Sequence, residues 1–143
     1  MTDGAAPPVT AERLAAWFEA SPAIKFLQLS VVAIDAAGPS LTVRMPMRHE
    51  LQRGIQPGQF HGGPIATLID TVGDFAVAMV TGGPVPTINM RVDYLRPATG
   101  EYLEARATVR RAGRTVCVCD IDVVDSQQRL CAIGRATYSS VVG

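Results

Sequence analysis

The sequence predicts an α+β domain in which a curved antiparallel sheet of about six strands wraps one long central helix, with a short helix at the N-terminus. Three observations carry this reading. Residues 62–81 place apolar side chains at helical spacing and are apolar around most of the helix girth, which calls for enclosure by other structure. Most other apolar positions alternate, as in half-buried strands. Thirteen Gly and ten Pro punctuate the chain too often for a helical bundle.

The elements follow in order. Residues 1–9 read as a flexible tail and 10–143 as a single domain. Thr10 is a candidate cap for a helix reaching about Ala20, with Leu14, Trp17 and Phe18 on its apolar side. Ser21-Pro22 stops it. Two strand-like runs, Leu27 to Ala36 and Ser40 to Met47, flank Ala37-Gly38-Pro39 as a hairpin. Arg48 to Gln59 is an irregular loop. The long helix opens on Gly62-Gly63-Pro64, where a proline lacks nothing the first turn needs, and closes at Gly82-Gly83-Pro84. Four strands follow: Thr87 to Leu95, Tyr102 to Arg110, Thr115 to Val124 and Leu130 to Val141. The second alternates clearly, with Leu103, Ala105, Ala107 and Val109 facing inward.

Composition narrows the function. At 143 residues, 48% hydrophobic and 18% charged, the chain buries enough surface to fold without a disulfide or metal staple. Thirteen Lys+Arg balance thirteen Asp+Glu, which argues against a nucleic-acid partner or a membrane-surface binder. No stretch approaches ~18 uninterrupted apolar residues, and the first nine residues lack the basic and apolar regions of a signal peptide. The expected location is the cytoplasm. Cys117 and Cys119 share one strand face with Cα atoms about 6.6 Å apart and parallel Cβ vectors, a poor disulfide geometry. They read as small buried hydrophobes in a reducing compartment. His49 and His61 have no finger-like spacing to the thiols, so no metal is expected.

The chemistry points to the start of the long helix. Gly62 and Gly63 would present backbone N–H groups unobstructed by Cβ, with the helix dipole adding positive potential, a setting for an oxyanion or a polarised carbonyl. Asp70 lies mid-helix between apolar neighbours. A carboxylate there must be paired or solvated. With Ala66, Thr67, Gly73 and Asp74 it forms a stripe of small and polar residues, either a solvated face or the lining of a cleft in which the carboxylate acts on a substrate. Gly62 and Asp70 are separated by about 12 Å of helix, so one carbonyl cannot meet both groups of one chain. If both serve one bond, two antiparallel helices from a two-fold dimer must bring them together. His61 either supports the loop or carries a proton. Thr87 either orients water or is an ordinary strand residue. Arg110, Arg111 and Arg114 form a solvated hairpin tip or a phosphate contact. P-loop and Rossmann glycine patterns and a nucleophile elbow are absent.

His61-Gly62-Gly63, with Asp70 nine residues after the His, then Thr87 and Asp93-Tyr94-Leu95-Arg96-Pro97, resembles the hotdog-fold acyl-CoA thioesterases of the phenylacetate-pathway (PaaI-like) type. The match spans roughly Leu27 to Ser139. It implies a sheet wrapped round one helix, dimers and often tetramers, and hydrolysis of a small or medium, including aromatic, acyl-CoA without a metal or separate cofactor; coenzyme A is part of the substrate. Carried over by position, the Gly62 N–H polarises the thioester carbonyl, Asp70 of the partner subunit activates water or attacks directly, Thr87 helps hold the water, and His61 supports the loop. Arg96 and Pro97, and the tip at Arg111, Arg114 and Thr115, match places where relatives contact CoA. Relatives often carry an Asn six residues before the His; here Ile55 stands there, with Gln56 or Gln59 as substitutes. Gln56, Gln59, Gly63 and Asp74 are the candidates for orienting the substrate. Two other readings are a non-catalytic acyl-CoA-binding hotdog module and, lower in rank, a dehydratase or hydratase on the same fold.

Overall fold

A computed structural model describes residues 9–55 and 58–143. Helix α1 spans Ala11–Ala20, with the Thr10 hydroxyl accepting from the Arg13 N–H as its cap. Leu14 and Phe18 are buried beneath it and Trp17 stacks on Phe75, ring centroids 5.9 Å apart. α1 stops at Ser21-Pro22 as expected, but the chain re-enters helix at once instead of passing into a strand. Ser21 ends α1 and caps a second helix, α2, Pro22–Leu27, with the proline in its first turn. Gln28, in the left-handed region at φ 55°, then turns the chain into β1, Ser30–Asp35, which starts three residues later than expected.

Strands β2 (Ser40–Pro46), β3 (Thr87–Tyr94), β4 (Tyr102–Ala112), β5 (Val116–Asp125) and β6 (Leu130–Ser139) complete one antiparallel sheet in the order β1-β2-β4-β5-β6-β3. The long helix, α3, occupies Gly62–Thr81 as the sequence predicts, closed by Gly82 at φ 88°. It lies chiefly on β4 and β5. The alternating residues of those strands, Leu103, Ala105, Ala107, Cys117, Cys119 and Ile121, meet Leu68, Ile69, Val72 and Ala76 in one core. Each large side chain fully buried there contributes about 1.5–3 kcal/mol. α3 has the length and apolarity of a membrane-crossing helix, and half of its most apolar stretch is buried inside this chain. All three cysteines are buried and free.

Two contacts clamp α3 to the sheet. A Cβ on Gly73 would lie 2.1 Å from the Tyr138 hydroxyl, and that hydroxyl donates to the Asp70 carbonyl at 2.9 Å. Gly73 therefore faces β6 rather than sharing the stripe with Asp70, a correction to the sequence reading. At the β5–β6 turn the fully buried Asp125 accepts from the Gln127 and Arg129 N–H groups and the Arg129 guanidinium, so neither carboxylate oxygen is without a partner.

β3 is a sheet edge; Val92 packs against the core, but the other apolar side chains of the strand lie open. Ile88 is 54% exposed, Met90 37% and Tyr94 53%. A register shift between Thr87 and Asn89 interrupts the pairing with β6.

Candidate functional site

The start of α3 is built by its own loop. His61 has extended backbone angles and serves as the N-cap, its Nδ1 accepting from the Gly63 N–H at 3.0 Å, while its N–H donates to the Leu51 carbonyl. An accepting Nδ1 leaves the ring proton on Nε2. The cap occupies the Gly63 N–H, so the pair of free amides expected from the sequence reduces to one: the Gly62 N–H has no partner among the described residues. The Tyr94 hydroxyl donates to the Gly62 carbonyl at 2.8 Å and packs over the glycine so closely that a Cβ there would come within 3.3 Å of it. Small size at position 62 is what lets the ring approach.

A cleft of about 520 Å³ opens in front of this amide. Gln59, Arg53, Tyr94, Arg96 and Pro97 line it together with Gly62. Gln59, Arg96 and Pro97 were expected from the sequence. Arg53 and Tyr94 were not assigned to the site: Arg53 stands in no motif, and Tyr94, although within the Asp93–Pro97 stretch, carried no role there; only folding brings them to the helix start. Gln56 lies outside the described residues. Ile55 is 97% exposed, its side chain directed into solvent.

Asp70 sits at the other end of β3. Its Oδ1 accepts from the Thr87 hydroxyl at 2.7 Å, so the two candidate residues, seventeen apart in sequence, form one unit within the chain. A hydroxyl donating to a carboxylate is one of the stronger side-chain hydrogen bonds. Asp74, one turn on, accepts from the Val85 N–H at 2.8 Å and so ties the segment after α3 to the helix. Both carboxylates line a second pocket of about 410 Å³.

Burial pushes the Asp74 carboxyl up to about 6, against the Val85 N–H that favours its ionised form and with the nearby Asp70 charge adding to the rise. A raised pKa means that the folded state holds this proton more tightly than the unfolded chain. The stability it contributes is fully present below the ordinary carboxylate range and is lost as pH rises through about 6. Thermal melts at a series of pH values are therefore expected to show a decline between about pH 4 and pH 6 that Asp74→Asn flattens.

The remaining candidates fall elsewhere. Arg111, Arg114 and Thr115 sit at the β4–β5 hairpin tip, where Ser140 holds the turn through Gly113 and Thr115. The register of β5, β6 and β3 puts that tip at the Thr87 end of the sheet. Arg96 and Pro97 follow Tyr94 at the opposite end, about 23 Å of strand away. One chain does not bring the two groups together. It likewise keeps the Gly62 cleft and the Asp70–Thr87 pair at opposite ends of β3. Among the described residues no three His, Cys, Asp or Glu side chains gather as a metal-binding group.

Residues 57–132 match the model of the thioesterase superfamily. A provisionally named esterase of Halobacterium salinarum is 39% identical over 126 residues, covering 80% of this chain and 82% of its own length. The acyl-coenzyme A thioesterase PaaI of Escherichia coli is 30% identical over 130 residues, covering 90% of this chain and 89% of its own. The solved structure of the E. coli PaaI protein from the phenylacetic acid degradation operon superposes with a TM-score of 0.81 at 28% identity, over 92% of this chain and 93% of that one.

Proposed function

Since the chain belongs to the thioesterase superfamily, we propose that it hydrolyses an acyl-CoA thioester to the free acid and CoA at a site shared by two subunits. The observation that carries this is the separation just described: an amide at Gly62 with no partner among the described residues, and an oriented carboxylate at Asp70 about 12 Å along the same helix, beyond the span of any single carbonyl. A two-fold axis running alongside α3 and the β3 edge sets the Gly62 cleft of one subunit against the Asp70–Thr87 pair of its twin. The exposed apolar residues Ile88, Met90 and Tyr94 on that edge support such a pairing, since burying them on association is favourable.

The step follows from the groups present. The thioester carbonyl oxygen accepts from the Gly62 N–H, which with the helix dipole stabilises the negative charge that develops there. Asp70 of the partner subunit takes a proton from a water molecule as that water attacks the carbonyl carbon. Thr87 holds the carboxylate, and His61 holds the loop that presents the amide. Collapse of the tetrahedral intermediate breaks the C–S bond. The thiolate of CoA leaves and takes up a proton. The phosphates lie toward Arg53 and Arg96 of the cleft, and the same two-fold brings the partner's hairpin tip, with its arginines, to that side. The step uses no cofactor beyond the CoA of the substrate, and three unpaired cysteines fit a cytoplasmic site of action.

A panel of acyl-CoA esters assayed for free thiol tests this reading, with the oligomeric state measured in parallel. Thiol release by a dimer or a tetramer is the expected result. CoA-ester binding without turnover would instead favour a binding module, for which the solvent-facing Ile55 in the family's Asn position is the relevant feature. Formation of a double bond without thiol release would mark a hydratase.

A further inference from the structure

We infer that Asp74 is a positioning residue for the reaction: by holding the Val85 N–H it sets where Thr87 stands, and so how Thr87 orients the Asp70 carboxylate. The effect on turnover rests on the proposed function; the arrangement itself does not. Asp70 and Asp74 lie about one turn apart on α3. Val85 and Thr87 lie two residues apart on the chain that runs into β3. The two segments are joined twice, by the Thr87 hydroxyl donating to Asp70 Oδ1 at 2.7 Å and by the Val85 N–H donating to Asp74 Oδ1 at 2.8 Å. Four residues of helix rise about 6 Å and two of extended chain about 6.6 Å, so the two bonds close a ring of matched sides.

The chain between these bonds is stiff. Val85 is flanked by Pro84 and Pro86, so φ is fixed on either side and its own backbone is confined to extended angles. It carries the one N–H of those three residues, and it is buried, so that donor needs a partner. Among the described residues Asp74 is the partner it has. The sheet does less here: the pairing of β3 with β6 shifts between Thr87 and Asn89, and Thr87 itself is exposed. What locates the hydroxyl is the Pro84-Val85-Pro86 strut, fastened at the Pro86 carbonyl by the Ser139 N–H and at Val85 by Asp74. From β6 the Tyr138 hydroxyl holds the Asp70 carbonyl, so backbone and carboxylate of Asp70 are fixed separately. Asp74 stands about 6 Å farther from Gly62 than Asp70 does, with its Oδ1 occupied, so it acts through Thr87 rather than on the substrate.

Asp74→Ala is expected to lower kcat by about tenfold with KM nearly unchanged, the kind of loss a slightly misplaced catalytic group produces. Asp74→Asn, which keeps an oxygen for Val85, should restore most of it. In a Thr87→Val background the hydroxyl is already gone, and Asp74→Ala should then lower kcat by less than about twofold, because both changes cut the same route. The inference is overturned if the two losses multiply, if Asp74→Asn is as slow as Asp74→Ala, or if Asp74→Ala raises KM and leaves kcat alone. Amide hydrogen exchange needs neither turnover nor a folded Asp74→Ala protein: the Val85 N–H should be protected in the wild type, and Asp74→Asn should keep that protection. Exchange at the rate of an open loop would equally overturn the inference. Should the wild type release thiol from no CoA ester, the thioesterase reading fails, and exchange at Val85 still decides whether Asp74 ties down the start of β3.

Discussion

Asp70→Asn is expected to lower kcat by at least ~100-fold, the usual loss on removing a general base, with little change in the affinity for an acyl-CoA. Asparagine keeps the size and the oxygen that accepts from Thr87, so the helix and β3 should stay in place. What disappears is the capacity to take a proton. Gly62→Pro is the matching change at the other end: it removes the N–H that has no partner among the described residues, and the first turn of a helix tolerates proline. Because the new Cβ comes within 3.3 Å of Tyr94, Gly62→Ala, which adds the Cβ but keeps the N–H, is the control and should retain more activity. His61 already has the extended conformation that a following proline demands.

The pair also tests where the site lies. In a mixed dimer, one chain with Asp70→Asn and the other with Gly62→Pro leave one shared site intact and the other doubly damaged. Mixing the two inactive proteins should regain activity if each site takes its amide and its carboxylate from different subunits. No recovery, in mixed dimers shown by mass to have formed, would sink the two-subunit site.

The second large effect concerns stability. Gly73→Ala gains about 1 kcal/mol of helix propensity. Against this, the new Cβ meets the Tyr138 hydroxyl at 2.1 Å, and Tyr138 is fully buried with nowhere to retreat. Overpacking at such a site costs about 3 kcal/mol, so the net loss is about 2 kcal/mol and Tm falls by about 8 °C. Tyr138→Phe alone should cost about 1 kcal/mol through the lost hydrogen bond to the Asp70 carbonyl. The double variant should lose less than the sum, because the atom nearest the new methyl has been removed. Additive losses in thermal or denaturant unfolding would show that the two residues do not press on each other. The same contact sets the height of the helix turn that carries Asp70, so Gly73→Ala should also reduce turnover.

Much of this protein was legible without coordinates. The bounds of α3 could be read directly because local chemistry marks them: His61 and two glycines before a proline at one end, Gly82-Gly83-Pro84 at the other, and helical spacing between. The strands after it were legible because alternation has a period that no other element shares. Asp70 stood out because an acid in an apolar helix needs a reason. The short helix α2 was not legible, since a run of six residues is too short for its period to separate helix from strand.

Contacts between distant residues were beyond reach for a different reason. That Thr87 holds Asp70, that Asp74 holds Val85, that Tyr138 fills the space Gly73 leaves, and that Trp17 faces the carboxylates are matters of how α1, α2 and the sheet close around α3. Periodicity tells which face of an element is buried, but not which partner buries it. That choice is made by packing, where side chains far apart in the chain compete for the same volume.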